Sequence, residues 1–395
     1  MDAQATQGLL RFFQGISDPR AHNARHLLCD ILTLAILAVL CGCEGWTAVE
    51  GWATLNSDWL ATLLELPHGI PTHDTFDRVF ALLDPQAFEK CFAAWTAALM
   101  KYSGDLFVAV DGKTLRRSFR RAWSKTPVHL VSAFVTQNRL VLGQLATDCK
   151  SNEITAIPKL LAMLNLANTT VTIDAMGCQK EIAAQIVRQN AHYLLAVKEN
   201  QPTLHERVKR LMDEGILEDF KGLRHGKSRE TSAGHGRLET RQVWVTNEVQ
   251  WLGEDLLGEW KGLASVVAVQ RTRQDLGDPT GKVTTERSYY ISSHDCGGKA
   301  FRATDANRLG QGIRQHWGVE NQLHWCLDVG LNEDQCRLRV KHGAENFSRL
   351  RRIALNKLKR WDFKKANGKS LNASIRLKQQ ACGWSHKALL EALLA

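Results

Sequence analysis

The sequence predicts an α/β protein. A mixed sheet flanked by helices follows a helical segment, is interrupted by a β-rich insertion, and gives way to a basic helical tail. Three observations predict this. Residues 1–100 place apolar side chains mostly at helical spacing. Residues 105–197 alternate short, β-rich apolar runs with helical stretches. Residues 200–305 return to strand-like runs broken by Gly/Asp/Pro turns before helical spacing resumes.

The first segment reads as helices over Leu9–Gln14, Leu27–Leu40, Ala48–Leu64 and Pro85–Met100. Ile31–Cys43 is apolar but only 13 residues long, too short to cross a bilayer, and reads as a core helix. Thr72-His73-Asp74-Thr75 resembles a capped helix start, bracketed by Pro71 and Pro85. That short helix suits a DNA-reading helix-turn-helix or a small docking domain. The acidic balance of residues 1–100, eleven Asp/Glu against five Lys/Arg, favours docking.

Strands are predicted at Leu106–Val110, His129–Val135 and Arg139–Leu145, then a helix over Glu153–Leu166. A strand at Thr169–Ile173, a helix at Cys178–Gln189 and a strand at His192–Val197 follow. The order β-β-β-α-β-α-β is that of a ribonuclease-H-like core with sheet order 3-2-1-4-5. Arg237–Val245, Leu263–Gln270 and Thr284–Ser292 supply strands of the insertion. The expected division is a helical domain over 1–100, a core over 101–345 with its insertion at about 200–305, and a basic tail over 346–395. In the tail, Phe347, Leu350, Ala354 and Leu358 share one helix face, and Arg349, Arg351, Arg352, Lys357, Lys359 and Arg360 fill most of the rest.

The formal net charge is +10, and residues 331–395 alone carry fifteen Lys/Arg against five Asp/Glu. Such asymmetry favours a polyanionic partner, double-stranded DNA above all. No Walker-type phosphate loop and no Gly-x-Ser-x-Gly elbow occurs, which removes support for nucleotide hydrolysis and acyl transfer. The ten cysteines form no CxxC pair and no zinc spacing, so reduced thiols in the cytosol are expected, with no membrane partner.

Three acids stand out. Asp111 ends the first predicted strand and Asp174 the fourth, so sheet order 3-2-1-4-5 brings them to one sheet edge. Glu320 lies in a later stretch that reads as helix. Each aspartate taken alone fits an ordinary turn cap. Together the three carboxylates suit two hard divalent cations, Mg²⁺ with Mn²⁺ as a substitute. Asp328 and Glu333 compete for the third place, which helical phase gives to Glu320 because Arg314 and His316 precede it. Residues expected to meet DNA are Lys113, Arg116, Lys150, Asn152, Lys198, Gln201, His316, Asn321, Arg351 and Arg352.

Several of these segments share a pattern. Val110-Asp111-Gly112-Lys113-Thr114-Leu115-Arg116, Lys150-Ser151-Asn152-Glu153-Ile154, Thr172-Ile173-Asp174-Ala175-Met176 and His316-Trp317-Gly318-Val319-Glu320-Asn321 resemble bacterial insertion-sequence DDE transposases of the H-repeat-associated (ISAs-type) family. Gly69 to Phe76 resembles that family's N-terminal associated domain, and the likeness runs from about Phe12 to Asn356. The resemblance implies an enzyme that cuts and joins DNA at the ends of its own element. Asp111, Asp174 and Glu320 would be its acidic triad, and a homodimer would act on DNA. The broader group's Tyr-Arg-Glu-Lys pattern is not kept, since its spacings fall on Ile313, His316 and Leu327. A nuclease without strand transfer and a decayed DNA-binding protein are the alternatives.

Overall fold

A computed structural model describes residues 8–9, 11–20, 24–100, 106–118, 127–147, 153–234, 236–277, 281–296, 303–364 and 368–395. The helices used below are α1 (Leu28–Leu40), α2 (Trp46–Leu55), α3 (His73–Leu82), α4 (Pro85–Leu99), α5 (Glu153–Ala162), α6 (Lys180–Arg188), α7 (Pro202–Leu217), α8 (Ala303–His316), α9 (Gly343–Arg360), α10 (Ile375–Trp384) and α11 (His386–Leu394). The strands are β1 (Leu106–Thr114), β2 (His129–Val135), β3 (Leu140–Thr147), β4 (Thr169–Ile173), β5 (His192–Val197), β6 (His225–Gly234), β7 (Arg237–Thr246), β8 (Ser265–Asp275) and β9 (Val283–Ser292). They form a sheet in the order β3-β2-β1-β4-β5-β9-β8-β7-β6. The chain divides into two compact units that do not follow chain order. One gathers residues 1–102, 112–152 and 320–395; the other gathers 103–111 and 153–319.

In the second unit, β1 pairs parallel to β4, and β4 parallel to β5. Strand β9 then adds antiparallel to β5, and β8, β7 and β6 continue antiparallel. The β-rich insertion therefore extends one sheet. Strand β6 is missing from the sequence-based expectation because His225–Gly234 is rich in Gly, Ser and charge and carries no apolar alternation. Its outer half and that of β9 are exposed. Cross-strand pairs hold them, Thr231 of β6 to Thr240 of β7 at 3.1 Å and Glu286 of β9 to Arg271 of β8. The inner half is apolar. Phe107, Leu194, Val243, Val267, Leu309 and Ile313 share one core beneath α8.

Helix α8 reaches the sheet closely only because residue 312 lacks a side chain. A Cβ on Gly312 would stand 2.2 Å from Cε1 of the Phe107 ring. Gly312→Ala is expected to cost about 1–3 kcal/mol through overpacking. Urea unfolding checks this, and an unchanged midpoint would show that the ring moves freely.

In the first unit, α9 is the centre. It packs against α1, α3, α4, α10, α11 and β3. The expectation that this basic face meets DNA is therefore corrected: apart from half-buried Glu345, every α9 residue from Gly343 to Leu358 is buried, Arg349, Arg351 and Arg352 included. Buried cations need partners. Arg349 has the carboxylates of Glu89 and Glu345, the latter at 2.8 Å, and Arg352 has Glu333 at 2.8 Å. Asn356 brackets β3, accepting from Val141 N–H and donating to Val141 C=O, both at 2.9 Å. Gln144 N–H of the same edge strand donates to Glu89 at 2.7 Å. These bonds occupy backbone groups that an open sheet edge would expose. No helix among the described residues is long and apolar enough to cross a membrane.

Candidate active site

The parallel register of β1 and β4 sets the geometry. Leu106 lies opposite Thr169, and Val110 opposite Ile173. The next residue on each strand is an aspartate, Asp111 and Asp174. Neighbouring strands run about 4.8 Å apart, so the two carboxylates leave the sheet side by side at one end. The sequence dictates this locally. Both strands are buried through their apolar residues and emerge at the acids, Asp111 half-buried and Asp174 exposed. Asp174 also orders its own turn, accepting from Gly177 N–H at 3.3 Å.

Two further segments of the same unit converge here. Asn200 donates to Ala175 C=O at 2.6 Å, and Gln201 donates to Cys178 C=O at 3.0 Å. The loop after β5 is thereby fastened to the turn that carries Asp174. His316, at the end of α8, sets its Nδ1 3.1 Å from the Thr172 hydroxyl. Burial lowers the His316 pKa, against the opposing pull of nearby Asp174, and keeps the imidazole neutral. Sequence reasoning missed the Thr172 contact, because a strand hydroxyl carries no motif.

The expected DNA-facing residues separate into distinct groups. Lys113 is corrected: it is 8% exposed, and its ammonium donates to Asp328 and, at 2.9 Å, to Glu333. A lysine spent on two carboxylates, one of them fully buried, is not offered to phosphate. Arg352 is corrected likewise, donating to Glu333 and to the Ser348 hydroxyl. Arg351 is buried, with its Nε donating to Leu331 C=O at 3.1 Å. The Gln201 amide is spent on the turn after β4. Arg116 stays at the surface, its side chain 82% exposed beside Asp334. Lys198 and Asn321 are exposed. Lys150 and Asn152 lie outside the described residues.

Glu320 is exposed on a π-helical stretch, Val319–His324, that follows α8. Such wide turns are rare and recur at functional sites. The competing acids are otherwise engaged. Burial alone would raise the Glu333 pKa, but Arg352, Lys113 and Arg351 outweigh it and hold the carboxyl far below its ordinary range. Burial raises that of Asp328, and Lys113 opposes. Among the described residues, no group of three or more His, Cys, Asp or Glu is placed to hold a metal ion.

His324 in this cluster is pushed down to about 3 by burial, with Lys113 and Arg352 adding to the effect. The unfolded chain takes up this proton below about 6.5 while the folded chain does not, so stability falls as pH drops through that window. Urea unfolding at neutral pH and at pH 5 should show the loss, and His324→Gln should shrink it.

The α/β sheet sets two aspartates in neighbouring positions just past the parallel pairing of β1 and β4. Comparison with known families gives the class to which the chain belongs. It belongs to the DDE transposase family: residues 102–357 match the description "Transposase DDE domain" and residues 10–96 match "DDE_Tnp_1-associated". It is 40% identical over 354 residues to "Putative transposase YncI" of Escherichia coli O157:H7, covering 89% of this chain and 87% of that protein. It is 38% identical over 371 residues to "H repeat-associated putative transposase YhhI" of Escherichia coli (strain K12), covering 94% and 93%. Among solved structures, a piggyBac transposase synaptic complex with hairpin DNA aligns at a TM-score of 0.39 and 9% identity, covering 96% of this chain and 75% of that chain. The family is the one the sequence motifs resemble.

Proposed function

We propose that this chain cleaves DNA strands at the ends of its own element and joins them to target DNA, on a ribonuclease-H-like core. The observation that carries the proposal is the register of β1 and β4, which sets Asp111 and Asp174 in neighbouring positions just past the paired residues. Glu320 is the third carboxylate. It follows His316 by four residues, about one helical turn, and His316 belongs to the Asp174 neighbourhood.

The donor set fits divalent magnesium. Asp111, Asp174 and Glu320 offer hard carboxylate oxygens, and Mn²⁺ accepts the same donors. Two Mg²⁺ ions would bind between these carboxylates mainly when DNA is present. Held there, they would supply a lowered pKa for an attacking water or 3′-hydroxyl and charge stabilisation for the departing oxygen. The protein's own part is positioning. The parallel strands fix the spacing of the two aspartates, and the Gly177 and Asn200 bonds hold the Asp174 turn. Neutral His316 offers Asp174 no competing positive charge. Arg116 and Lys198 contact DNA phosphate, working mainly through charge. Because two element ends must be handled together, the active species is a homodimer on DNA, in the cytoplasm.

Incubation of the purified protein with labelled, precut element ends, target DNA and Mg²⁺ tests the reading. Joined products are expected. Cut DNA without joining would favour a nuclease, and bound but intact DNA would favour a decayed binding protein.

A further inference from the structure

The unit built from residues 1–102, 112–152 and 320–395 contains a cavity of about 320 Å³ that the carboxylate site does not use. Its wall includes the N-terminal turn of α2, the segment Asn332–Leu338 and Arg351 of α9. The volume lies at the small end of the range for ligand pockets.

The hydrogen-bonding inventory of this cavity is one-sided. Arg351 is 1% exposed, and its Nη1 and Nη2 find no partner among the described residues. Its guanidinium lies over the Phe347 ring, 4.4 Å from the centroid, which fixes its plane. Trp46, 4% exposed, also lines the cavity, and its indole N–H has no partner either. Helix α2 starts from Gly45, which supplies no side-chain cap for the first-turn N–H groups. Buried donors, a charged one above all, are costly to leave unmatched. Two neighbouring acids already carry hydrogen bonds. One oxygen of Glu44 accepts from Asn332 at 2.7 Å, and the Glu333 oxygens are taken by Arg352, Ser348 and Lys113. The unpartnered donors suit a small anion that only accepts hydrogen bonds.

We propose that this cavity binds a phosphate group. Guanidinium nitrogens and a helix N-terminus together form an oxyanion site. Thr47 and Arg337 line the cavity and are exposed, so an anion reaches it from solvent. The phosphate belongs either to a DNA backbone or to a small phosphorylated molecule. Neither Asp111 nor Asp174 contributes, so the proposal is independent of the transposition reading.

The test is thermal unfolding and calorimetric titration of the full-length protein with inorganic phosphate, against chloride at matched ionic strength. Phosphate should raise the unfolding temperature of the unmodified protein. Thr47→Glu puts an acid in the first turn of α2, which suits the helix dipole and preserves folding while repelling an anion. This variant and Arg351→Met should each bind phosphate at least about tenfold more weakly. Equal responses to phosphate and chloride would overturn the proposal, as would a phosphate response unchanged in Thr47→Glu. Competition with a short DNA duplex identifies the source. If phosphate displaces DNA from the unmodified protein and not from Thr47→Glu, the site takes backbone phosphate. If DNA binding is equal in both while the phosphate response is lost in the variant, the site takes a small phosphorylated ligand.

Discussion

Asp111→Asn and Asp174→Asn are each expected to abolish strand cleavage while leaving DNA binding in place. The substitution is nearly isosteric and removes one negative charge from a pair whose spacing is fixed by the β1–β4 register. If the carboxylates act as a unit, either change lowers the rate by about three orders of magnitude or more, and the double variant loses little beyond that. The retained binding distinguishes lost chemistry from lost folding, because the DNA contacts proposed for Arg116 and Lys198 do not pass through either acid. Single-turnover cleavage of an element-end duplex, with a mobility shift on the same samples, measures both. Cleavage at the unmodified rate in either variant would remove that aspartate from the mechanism.

The second large effect is on folding. Glu333→Ala is expected to destabilise the protein by about 3–5 kcal/mol, the cost of leaving buried cations without their counter-charge. Glu333 and Arg352 have fully buried side chains 2.8 Å apart, and Lys113 donates to the other carboxylate oxygen at 2.9 Å. Removing the acid leaves buried Arg352 without its counter-charge and Lys113 with Asp328 as its remaining close carboxylate. The same carboxyl makes stability acid-sensitive. Its folded pKa lies below its ordinary 4.5, so its contribution is complete above that value and is lost as pH falls below it. Urea unfolding measures the difference, and a shift within about 0.5 kcal/mol, as at ordinary surface positions, would show that the cluster is solvated.

The strands of 106–197 were legible because each is a short apolar run of β-formers bounded by turn residues, and β2, β4 and β5 fall where periodicity puts them. The two aspartates stood out because each ends an apolar run; Asp174 follows the last residue of β4, whereas β1 runs on past Asp111 to Thr114. Strand β6 was not legible, because its residues follow from pairing with β7 rather than from their own polarity. The π-helical turns around Glu320 left no trace in spacing, since 3.6-residue periodicity assumes an α-helix.

The basic residues show where sequence stops. Lys113 follows Asp111 by two positions and reads as a phosphate contact, yet its partners Asp328 and Glu333 lie more than two hundred residues away. Arg349, Arg351 and Arg352 read as part of a basic helix face, and no count of charges predicts Glu89 and Glu333 buried against Arg349 and Arg352. By itself the sequence determined the family and the positions of the apolar strands, because local apolar patterning and turn chemistry are written in consecutive residues. Only the tertiary structure decided which cations are spent in the interior and which face solvent. Ion pairing in a core is a contact between distant segments, and its energy depends on burial that no single segment specifies.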